Sequence, residues 1–133
     1  MLSGGCLCGQ IRYRASGLPY HAGYCHCVTC RRAAGAPVAA WFSNKLVDLQ
    51  ITGSPARYRS SDHGERLFCA ACGTQLFFDD SRYPDELDIS IASLDEPERV
   101  PPEFHLFASR RIPWVQFDDA LPSYAETRDS PKL

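Results

Sequence analysis

Residues 69–73 read Cys69-Ala70-Ala71-Cys72-Gly73, a knuckle in which the chain turns so that both sulfur atoms face the same side. The glycine after the second cysteine accommodates a positive φ angle. A second pair, Cys6 and Cys8, lies near the start of the chain, and in an extended segment these two side chains point to one face. Two pairs supply four sulfurs, the complement of a closed tetrahedral zinc site. Joining them would tie the first strand to the middle of the chain and stabilise the fold.

The other three cysteines, Cys25, Cys27 and Cys30, form a C-x-C-x-x-C cluster. Cys27 and Cys30 are three residues apart at the start of a predicted helix, so they can share one face, and Cys25 approaches from the extended segment before it. Three thiolates leave one coordination position of a zinc ion for water or substrate. The sequence therefore predicts two zinc ions per chain, one structural and one reactive.

Spacing alone leaves the partition of the cysteines open. Cys6 and Cys8 could instead join part of the triplet, with Cys69 and Cys72 in the open site. A redox role for Cys69 and Cys72 is disfavoured, because that motif normally opens a helix in a βαβ unit, whereas a strand-like segment follows here. Three disulfides plus one spare thiol are a further alternative, disfavoured by the odd number of seven cysteines.

Length and composition favour one compact domain over residues 1–133, since 44 % of the residues are hydrophobic. The formal net charge of -2 gives no electrostatic basis for binding nucleic acid or anionic lipid. No apolar run approaches the roughly 20 residues that cross a bilayer, and the start MLSGGCLCG lacks the regions of a signal peptide. We expect a cytoplasmic protein that binds neither nucleic acid nor membrane; its oligomeric state is not predicted.

Short strand-like segments separated by turn signals predict a predominantly β domain. One short helix is predicted from Val28 to Ala34, because Gly35 and Pro37 form a stop signal. The tail after Phe117 is polar, and its last few residues are expected to fray. The predicted strands are Ile11–Ala15, Val38–Phe42, Leu46–Thr52, Ala56–Arg59, Arg66–Cys69, Thr74–Phe78, Leu87–Ala92, Glu103–Phe107 and Trp114–Phe117.

The cysteine motifs resemble those of the glutathione-dependent formaldehyde-activating enzyme family, which also includes centromere protein V. Two later segments extend the resemblance, so that it covers residues from about Gly4 to Pro122. The matching stretches are Gly5-Cys6-Leu7-Cys8-Gly9, Tyr24-Cys25-His26-Cys27-Val28-Thr29-Cys30-Arg31, Phe68-Cys69-Ala70-Ala71-Cys72-Gly73-Thr74, Ser93-Leu94-Asp95-Glu96-Pro97, and His105-Leu106-Phe107 leading to Pro113-Trp114.

This resemblance implies a mainly β, zinc-stabilised domain of several small coiled antiparallel sheets, with its core at about residues 4–122. It also implies an activity, a carbon–sulfur lyase reaction run in the synthetic direction as addition of the glutathione thiol to formaldehyde to give S-(hydroxymethyl)glutathione. The expected partners are thus a small thiol such as glutathione and a small aldehyde. The ligands it implies are Cys6, Cys8, Cys69 and Cys72 for the structural zinc, and Cys25, Cys27 and Cys30 for the catalytic zinc.

A competing hypothesis is a non-catalytic, zinc-stabilised module that binds a thiol or a partner protein. Storage or buffering of metal is disfavoured, because such a role does not need this much strand-forming and aromatic sequence.

The histidines and two arginines are secondary candidates. His105 could line the pocket or be the fourth zinc ligand, although a hydrogen-bonded structural role is favoured. His26 is expected to point away from the sulfurs, and His63 to be solvated. Arg31 and Arg32 could bind a substrate carboxylate or simply neutralise the thiolates.

The large aromatic residues are predicted to lie mainly in the core, and two pairs of aspartates to lie in turns or on the surface. One of the two tryptophans is expected to line the open zinc site. The predicted core aromatics are Trp41, Phe42, Phe77, Phe78 and Trp114, and the predicted turn or surface acids are Asp79, Asp80, Asp118 and Asp119.

The cysteine count generates a test of metal content. Protein purified under reducing conditions should carry two zinc equivalents per chain by plasma mass spectrometry, and all seven cysteines should react with a thiol reagent after denaturation with chelator. Metal-free protein with a single reactive thiol would instead support the disulfide alternative.

Overall fold

Ten short strands and one helix make up the regular structure in a computed structural model that describes residues 1–133. Single 3-10 turns cover Leu46–Asp48, Ile91–Ser93, Pro97–Arg99 and Ala108–Arg110. The elements in chain order are β1 (Leu2–Gly5), β2 (Arg12–Ala15), β3 (Tyr20–Cys25), α1 (Val28–Ala34), β4 (Ala39–Lys45), β5 (Leu49–Thr52), β6 (Ala56–Arg59), β7 (Gly64–Phe68), β8 (Gln75–Asp80), β9 (Glu86–Ser90) and β10 (His105–Leu106).

The strands form two sheets, one of three strands in the order β1-β2-β5 and one of seven in the order β10-β3-β4-β9-β8-β7-β6. Every pairing is antiparallel except that of β10 with β3, where His105 pairs with Tyr24 and Leu106 with Cys25. The mainly β fold with antiparallel sheets and one short helix is confirmed.

The seven-stranded sheet has two chemically different faces, because successive side chains along a strand point to opposite sides. One face supplies apolar side chains to the main core, including Phe42 of β4, Leu87 and Ile89 of β9, and Phe77 of β8. The alternate residues Trp41, Ser43, Glu86, Asp88 and Phe78 line a pocket on the other side.

The three-stranded sheet packs against the same core. Along β2, Tyr13 and Ala15 are buried while Arg12 and Arg14 are exposed. The Tyr13 ring lies edge-on to Phe77 with centroids 5.4 Å apart, and its hydroxyl lies 2.7 Å from Ser93 Oγ. The aromatic pair joins the two sheets, and the hydrogen bond fixes β2 to the 3-10 turn that follows β9.

The α1 helix has the bounds that the sequence predicts. The Cys27 sulfur caps its start by accepting a hydrogen bond from the Cys30 amide at 3.3 Å. Gly35 ends it in the left-handed conformation, with φ of 63°, and donates its N–H to the Arg31 carbonyl. Such a C-terminal glycine is the usual way to end a short helix.

Several strand predictions need correction. Residues 114–117 do not form a strand, because no strand of either sheet pairs with this segment. The segment begins instead with a turn in which the Val115 amide donates to the Ile112 carbonyl. The Leu46–Thr52 prediction is wrong in its first half, where a 3-10 turn precedes β5. Strands β1 and β3 have no predicted counterpart.

Trp114 is not a core residue, because its side chain is 71 % exposed on this turn. The expected fraying of the tail is also wrong. The Leu133 amide donates to the Ser123 carbonyl at 2.9 Å, and Tyr124 pairs with Lys132, so the last residues fold back as a small hairpin.

None of the helices is long and apolar enough to cross a bilayer.

The two-faced sheet predicts which aromatic residues stabilise the fold. Phe77→Ala should lower the free energy of unfolding by about 3–5 kcal/mol, because it leaves a cavity in a fully buried position. Tyr58→Ala, at a side chain that is 65 % exposed, is the matched control and should change it by less than about 0.5 kcal/mol. Both values come from urea denaturation, and equal effects would contradict the assignment of the core face.

Candidate metal centres and adjoining pocket

Four cysteines converge between the two sheets. Cys8 Sγ lies 3.6 Å from Cys6 Sγ and 3.7 Å from Cys69 Sγ, and the four sulfurs of Cys6, Cys8, Cys69 and Cys72 are all within 4.8 Å of one another. A tetrahedral zinc with Zn–S bonds of about 2.3 Å requires sulfurs about 3.8 Å apart. A disulfide requires about 2.05 Å, and all seven cysteines are free thiols. The donor set therefore fits a closed zinc site.

Backbone amides hold these sulfurs in place. The Ile11 amide donates to Cys6 Sγ at 3.2 Å and the Cys72 amide to Cys69 Sγ at 3.5 Å. The knuckle closes where Gly73, with φ of 79°, donates its N–H to the Cys69 carbonyl at 2.8 Å. The first two bonds fix the positions of the Cys6 and Cys69 sulfurs, and the third fixes the turn of the knuckle.

The second group contains the sulfurs of Cys25, Cys27 and Cys30, which also lie within 4.8 Å of one another. Cys25 ends β3, Cys27 caps α1, and Cys30 lies in the first turn of the helix. The three sulfurs can serve one zinc ion and leave its fourth position free. Cys6 and Cys8 lie with Cys69 and Cys72 in the other group. The alternative grouping, in which Cys6 and Cys8 join part of the triplet, does not occur in this fold.

The thiols of the second group differ in pKa. Hydrogen bonds from Cys25 and Cys30 hold the pKa of Cys27 well below its usual range. The same contact with Cys27, followed by that with Cys30, raises the pKa of Cys25. Cys27 is thus the thiol that loses its proton first, and it also lies 3.2 Å from Thr29 Oγ1.

Arg66 places a buried positive charge beside this group. Its Nη2 lies 3.5 Å from Cys30 Sγ and 3.2 Å from Thr29 Oγ1, and its Nη1 donates to Gln75 Oε1 at 3.3 Å. No carboxylate is within ion-pair distance of it. Burying a cation without a compensating anion costs free energy, and Cys30 is the only group among these contacts that can become an anion, by losing its proton to a bound metal.

The cysteine triplet opens onto a cavity of about 360 Å³, whereas no member of the quartet lines it. Ten of the 22 residues that line it are alternate residues of five adjacent strands of the large sheet. These residues are His21, Gly23 and Cys25 of β3, Trp41 and Ser43 of β4, Glu86 and Asp88 of β9, Phe78 and Asp80 of β8, and Arg66 of β7. Trp41 is therefore the tryptophan at the open site, as predicted.

One wall of the pocket is acidic. Asp88 accepts a hydrogen bond from Ser43 Oγ at 2.6 Å, and burial raises the pKa of Asp88 to about 6. Glu86 lies two residues away on the same strand face, and Asp80 pairs with Arg82 at 2.9 Å. The sequence suggested that Asp80 is a turn or surface acid, but it is a pocket residue.

Two strained backbone positions border the pocket. His21 and Phe107 both have φ of 52°, which L side chains rarely adopt. His21 lies at the irregularity between Tyr20 and Gly23 in the pairing of β3 with β4. Both residues line the cavity, and strain of this kind is found preferentially at functional sites.

Behind the triplet, two buried histidines begin a series of hydrogen bonds that ends at an aspartate on the surface. His26 Nε2 is 2.9 Å from His105 Nδ1, and His105 Nε2 is 2.9 Å from Asp119 Oδ2. Burial lowers the pKa of His26 to about 4, and Tyr24 stacks on His105 with ring centroids 4.8 Å apart. The hydrogen bond from the Leu121 amide contributes most to a lowered pKa of Asp119, which favours the carboxylate.

His105 consequently has the structural role that the sequence favoured. Both its ring nitrogens are engaged and it does not line the pocket, and neither does His26. His63 is exposed. Asp119, expected to be a plain surface acid, instead orients His105, a long-range pairing that no local pattern predicts.

The arginines at the pocket are not the predicted ones. Arg31 donates its Nε–H to the His26 carbonyl at 3.1 Å, and neither Arg31 nor Arg32 lines the cavity. The arginines that do are Arg66, Arg82 and Arg128. Arg66 lies on the pocket face of β7, which strand alternation could have indicated, whereas Arg128 reaches the pocket only through the fold of the tail.

Comparison with known proteins identifies relatives over most of the chain. The sequence model of the family described as "Glutathione-dependent formaldehyde-activating enzyme" matches residues 1–110. A Halomonas elongata protein, assigned provisionally by its name to the same enzymes, is 30 % identical over 128 residues, covering 89 % of this chain and 82 % of its own. A Schizosaccharomyces pombe protein named only as an uncharacterised lyase is 35 % identical over 75 residues, which is 56 % of this chain and 55 % of its own.

A solved structure shares the fold. The crystal structure of a Rhodobacter sphaeroides protein superimposes with a TM-score of 0.59 at 24 % identity. The match covers 70 % of this chain and 87 % of that one.

The raised pKa of Asp88 predicts a pH-dependent stability. Between the ordinary aspartate pKa of about 3.9 and about 6, the folded protein binds more protons than the unfolded chain, so burial of Asp88 destabilises the fold increasingly as pH rises. Asp88→Asn removes this ionisation, so its Tm relative to the parent protein should rise between pH 4 and pH 7.

Calorimetry of both proteins across this pH range measures the difference between their Tm values. The effect of acid on metal binding is common to both proteins and cancels in this difference. Asp118→Asn, at an exposed aspartate, is the matched control. A pH-independent difference for Asp88→Asn would show that the carboxyl is not desolvated.

Proposed function

Because this chain belongs to the glutathione-dependent formaldehyde-activating enzyme family, we propose that it is a zinc-dependent carbon–sulfur lyase. It joins a thiol such as glutathione to a small aldehyde such as formaldehyde, giving an S-hydroxymethyl adduct. The observation that carries this proposal is the difference between the two cysteine groups: the triplet opens onto the pocket, while the quartet does not line it.

We assign each cysteine group one zinc ion. Cys6, Cys8, Cys69 and Cys72 hold a structural ion, whereas Cys25, Cys27 and Cys30 hold the ion at the pocket. A zinc ion bound by the triplet would supply a Lewis acid, which favours ionisation of a thiol and polarises a carbonyl.

The chemistry asked of the protein is addition of sulfur to a carbonyl carbon. The thiol gives up its proton, the sulfur lone pair forms the S–C bond, and the carbonyl π pair moves to oxygen, which takes a proton to complete the adduct. The pocket contributes by holding both reactants together, which replaces a chance encounter by a positioned one. Arg66 offsets the negative charge of the triplet in this low-dielectric site.

The charges of the pocket support a zwitterionic thiol. Glutathione carries one ammonium and two carboxylates besides its thiol. The acidic wall with Glu86 and Asp88 suits the ammonium, and the lining also includes a guanidinium group that no ion pair engages, which suits a carboxylate. Formaldehyde is small enough to enter a cavity of about 360 Å³ together with the thiol.

We further propose that residues 1–133 form one domain and that the protein works in the cytoplasm. The seven free cysteines support a reducing compartment, since such thiols oxidise elsewhere.

Matched cysteine variants test the function. The parent protein should accelerate formation of the glutathione–formaldehyde adduct above the uncatalysed rate, measured by NMR exchange spectroscopy with ¹³C-formaldehyde. Cys27→Ser should abolish the acceleration and retain one zinc and cooperative unfolding. Cys72→Ser should lose the fold, because structural zinc contributes about 10–16 kcal/mol in small domains, which is as much as the whole stability.

An unaccelerated reaction in protein that carries two zinc ions would refute the lyase proposal. If glutathione then still raises the Tm without product formation, the chain is the non-catalytic thiol-binding module instead.

A further inference from the structure

The C-terminal segment contributes to the pocket although it lies outside the region that the family model matches. That match ends at residue 110, whereas Thr127 and Arg128 line the same cavity as Cys25, Cys27 and Cys30. The tail therefore belongs to the site, and its pocket residues need an explanation of their own.

The tail holds Arg128 at a fixed place. The Ala125 amide donates to the Pro131 carbonyl at 2.8 Å, which closes a hairpin, and the Phe107 amide donates to the Glu126 carbonyl at 2.8 Å, which fastens the hairpin to the body of the protein. At the tip, the Ser130 amide bonds to the Thr127 carbonyl at 3.0 Å. Arg128 is thus the second residue of a closed four-residue turn.

The side chain of Arg128 is also positioned. Its guanidinium carbon lies 5.4 Å from the centroid of the Phe104 ring, which is itself buried and packs over Gly23. A Cβ on Gly23 would come within 2.6 Å of this ring, so the glycine makes room for it. The charge of Arg128 adds to burial in lowering the pKa of His21, another pocket residue.

Arg128 has no anionic partner in the fold. None of the ion pairs includes it, whereas Arg82, the other arginine at the rim, is bound to Asp80 at 2.9 Å. The Arg128 guanidinium therefore offers a planar pair of donors that the protein itself leaves free for a ligand.

We propose that Arg128 is a specificity-determining residue that binds a carboxylate of the thiol substrate. It selects thiols bearing a carboxylate some distance from the sulfur over thiols lacking one, because a guanidinium pairs with a carboxylate through two parallel hydrogen bonds. This assignment rests on the function proposed above and adds the substrate class to it.

A pair of charge-removing variants tests the assignment. Arg128→Met removes the guanidinium, and Lys132→Met is the matched control, because Lys132 also lies over an aromatic ring of the hairpin, that of Tyr124 at 5.9 Å, but does not line the pocket. Arg128 is exposed, so the variant should fold. Each zinc-loaded protein is assayed with formaldehyde and either glutathione or N-acetylcysteamine, a thiol without a carboxylate.

We expect Arg128→Met to raise the KM for glutathione about tenfold, as loss of a charge-assisted hydrogen bond would, with kcat changed less than about twofold. The KM for N-acetylcysteamine should not change, Lys132→Met should match the parent protein with both thiols, and Arg128→Lys should restore part of the affinity. An unchanged KM for glutathione, or equal losses for both thiols, would overturn the assignment.

Binding without turnover separates this assignment from the lyase proposal. The rise in Tm caused by each thiol is measured on the same proteins without aldehyde. If the parent protein binds glutathione but forms no adduct, the lyase proposal fails. The role of Arg128 is then still tested by binding: Arg128→Met should lose the rise in Tm caused by glutathione and keep that caused by N-acetylcysteamine. A parent protein stabilised equally by the two thiols would overturn the assignment.

Discussion

The convergence of four sulfurs from Cys6, Cys8, Cys69 and Cys72 is the constraint on which the rest of the structure depends. The first pair follows β1 of the small sheet, and the second pair stands between β7 and β8 of the large sheet. A metal ion shared by the two pairs would close a loop of about half the chain, and that closure would restrict the unfolded state strongly. With the sheets fixed in this way, the remaining cysteines face the pocket on the opposite side of the large sheet.

The large sheet separates stability from chemistry. Its core face buries aliphatic and aromatic side chains, whereas its pocket face carries three acids, a buried arginine and a cysteine. Burying Arg66 without a carboxylate partner costs free energy, and loss of the Cys30 proton to a bound metal would offset that cost. Polar groups in the pocket are tolerated because the other face supplies the hydrophobic stabilisation.

The cysteine triplet is supported from behind by the C-terminal part of the chain. The hydrogen bonds from His26 through His105 to Asp119 connect residues that are nearly a hundred positions apart in sequence. In addition, β10 pairs with the end of β3 at Cys25. The tail hairpin then returns to the pocket rim through Arg128. The segment that carries the cysteine triplet, residues 25–30, is thus fixed on one side by the helix cap and on the other by this hydrogen-bond network.

Spacing within short motifs was enough to predict the α1 helix, the β6 strand and the grouping of cysteines into local pairs and a triplet, because these features depend on neighbours in sequence. Local patterns could not predict that Trp114 is exposed, that the tail folds back, or that Asp119 reaches His105. The pocket arginines Arg66 and Arg128 were also missed: alternation along β7 could have indicated Arg66, whereas Arg128 reaches the pocket only through the fold of the tail. The sequence by itself determined a β protein with thiolates spaced for metal. Only the tertiary structure decided which sulfurs meet and which charges surround them, because those distances depend on how strands far apart in sequence are placed together.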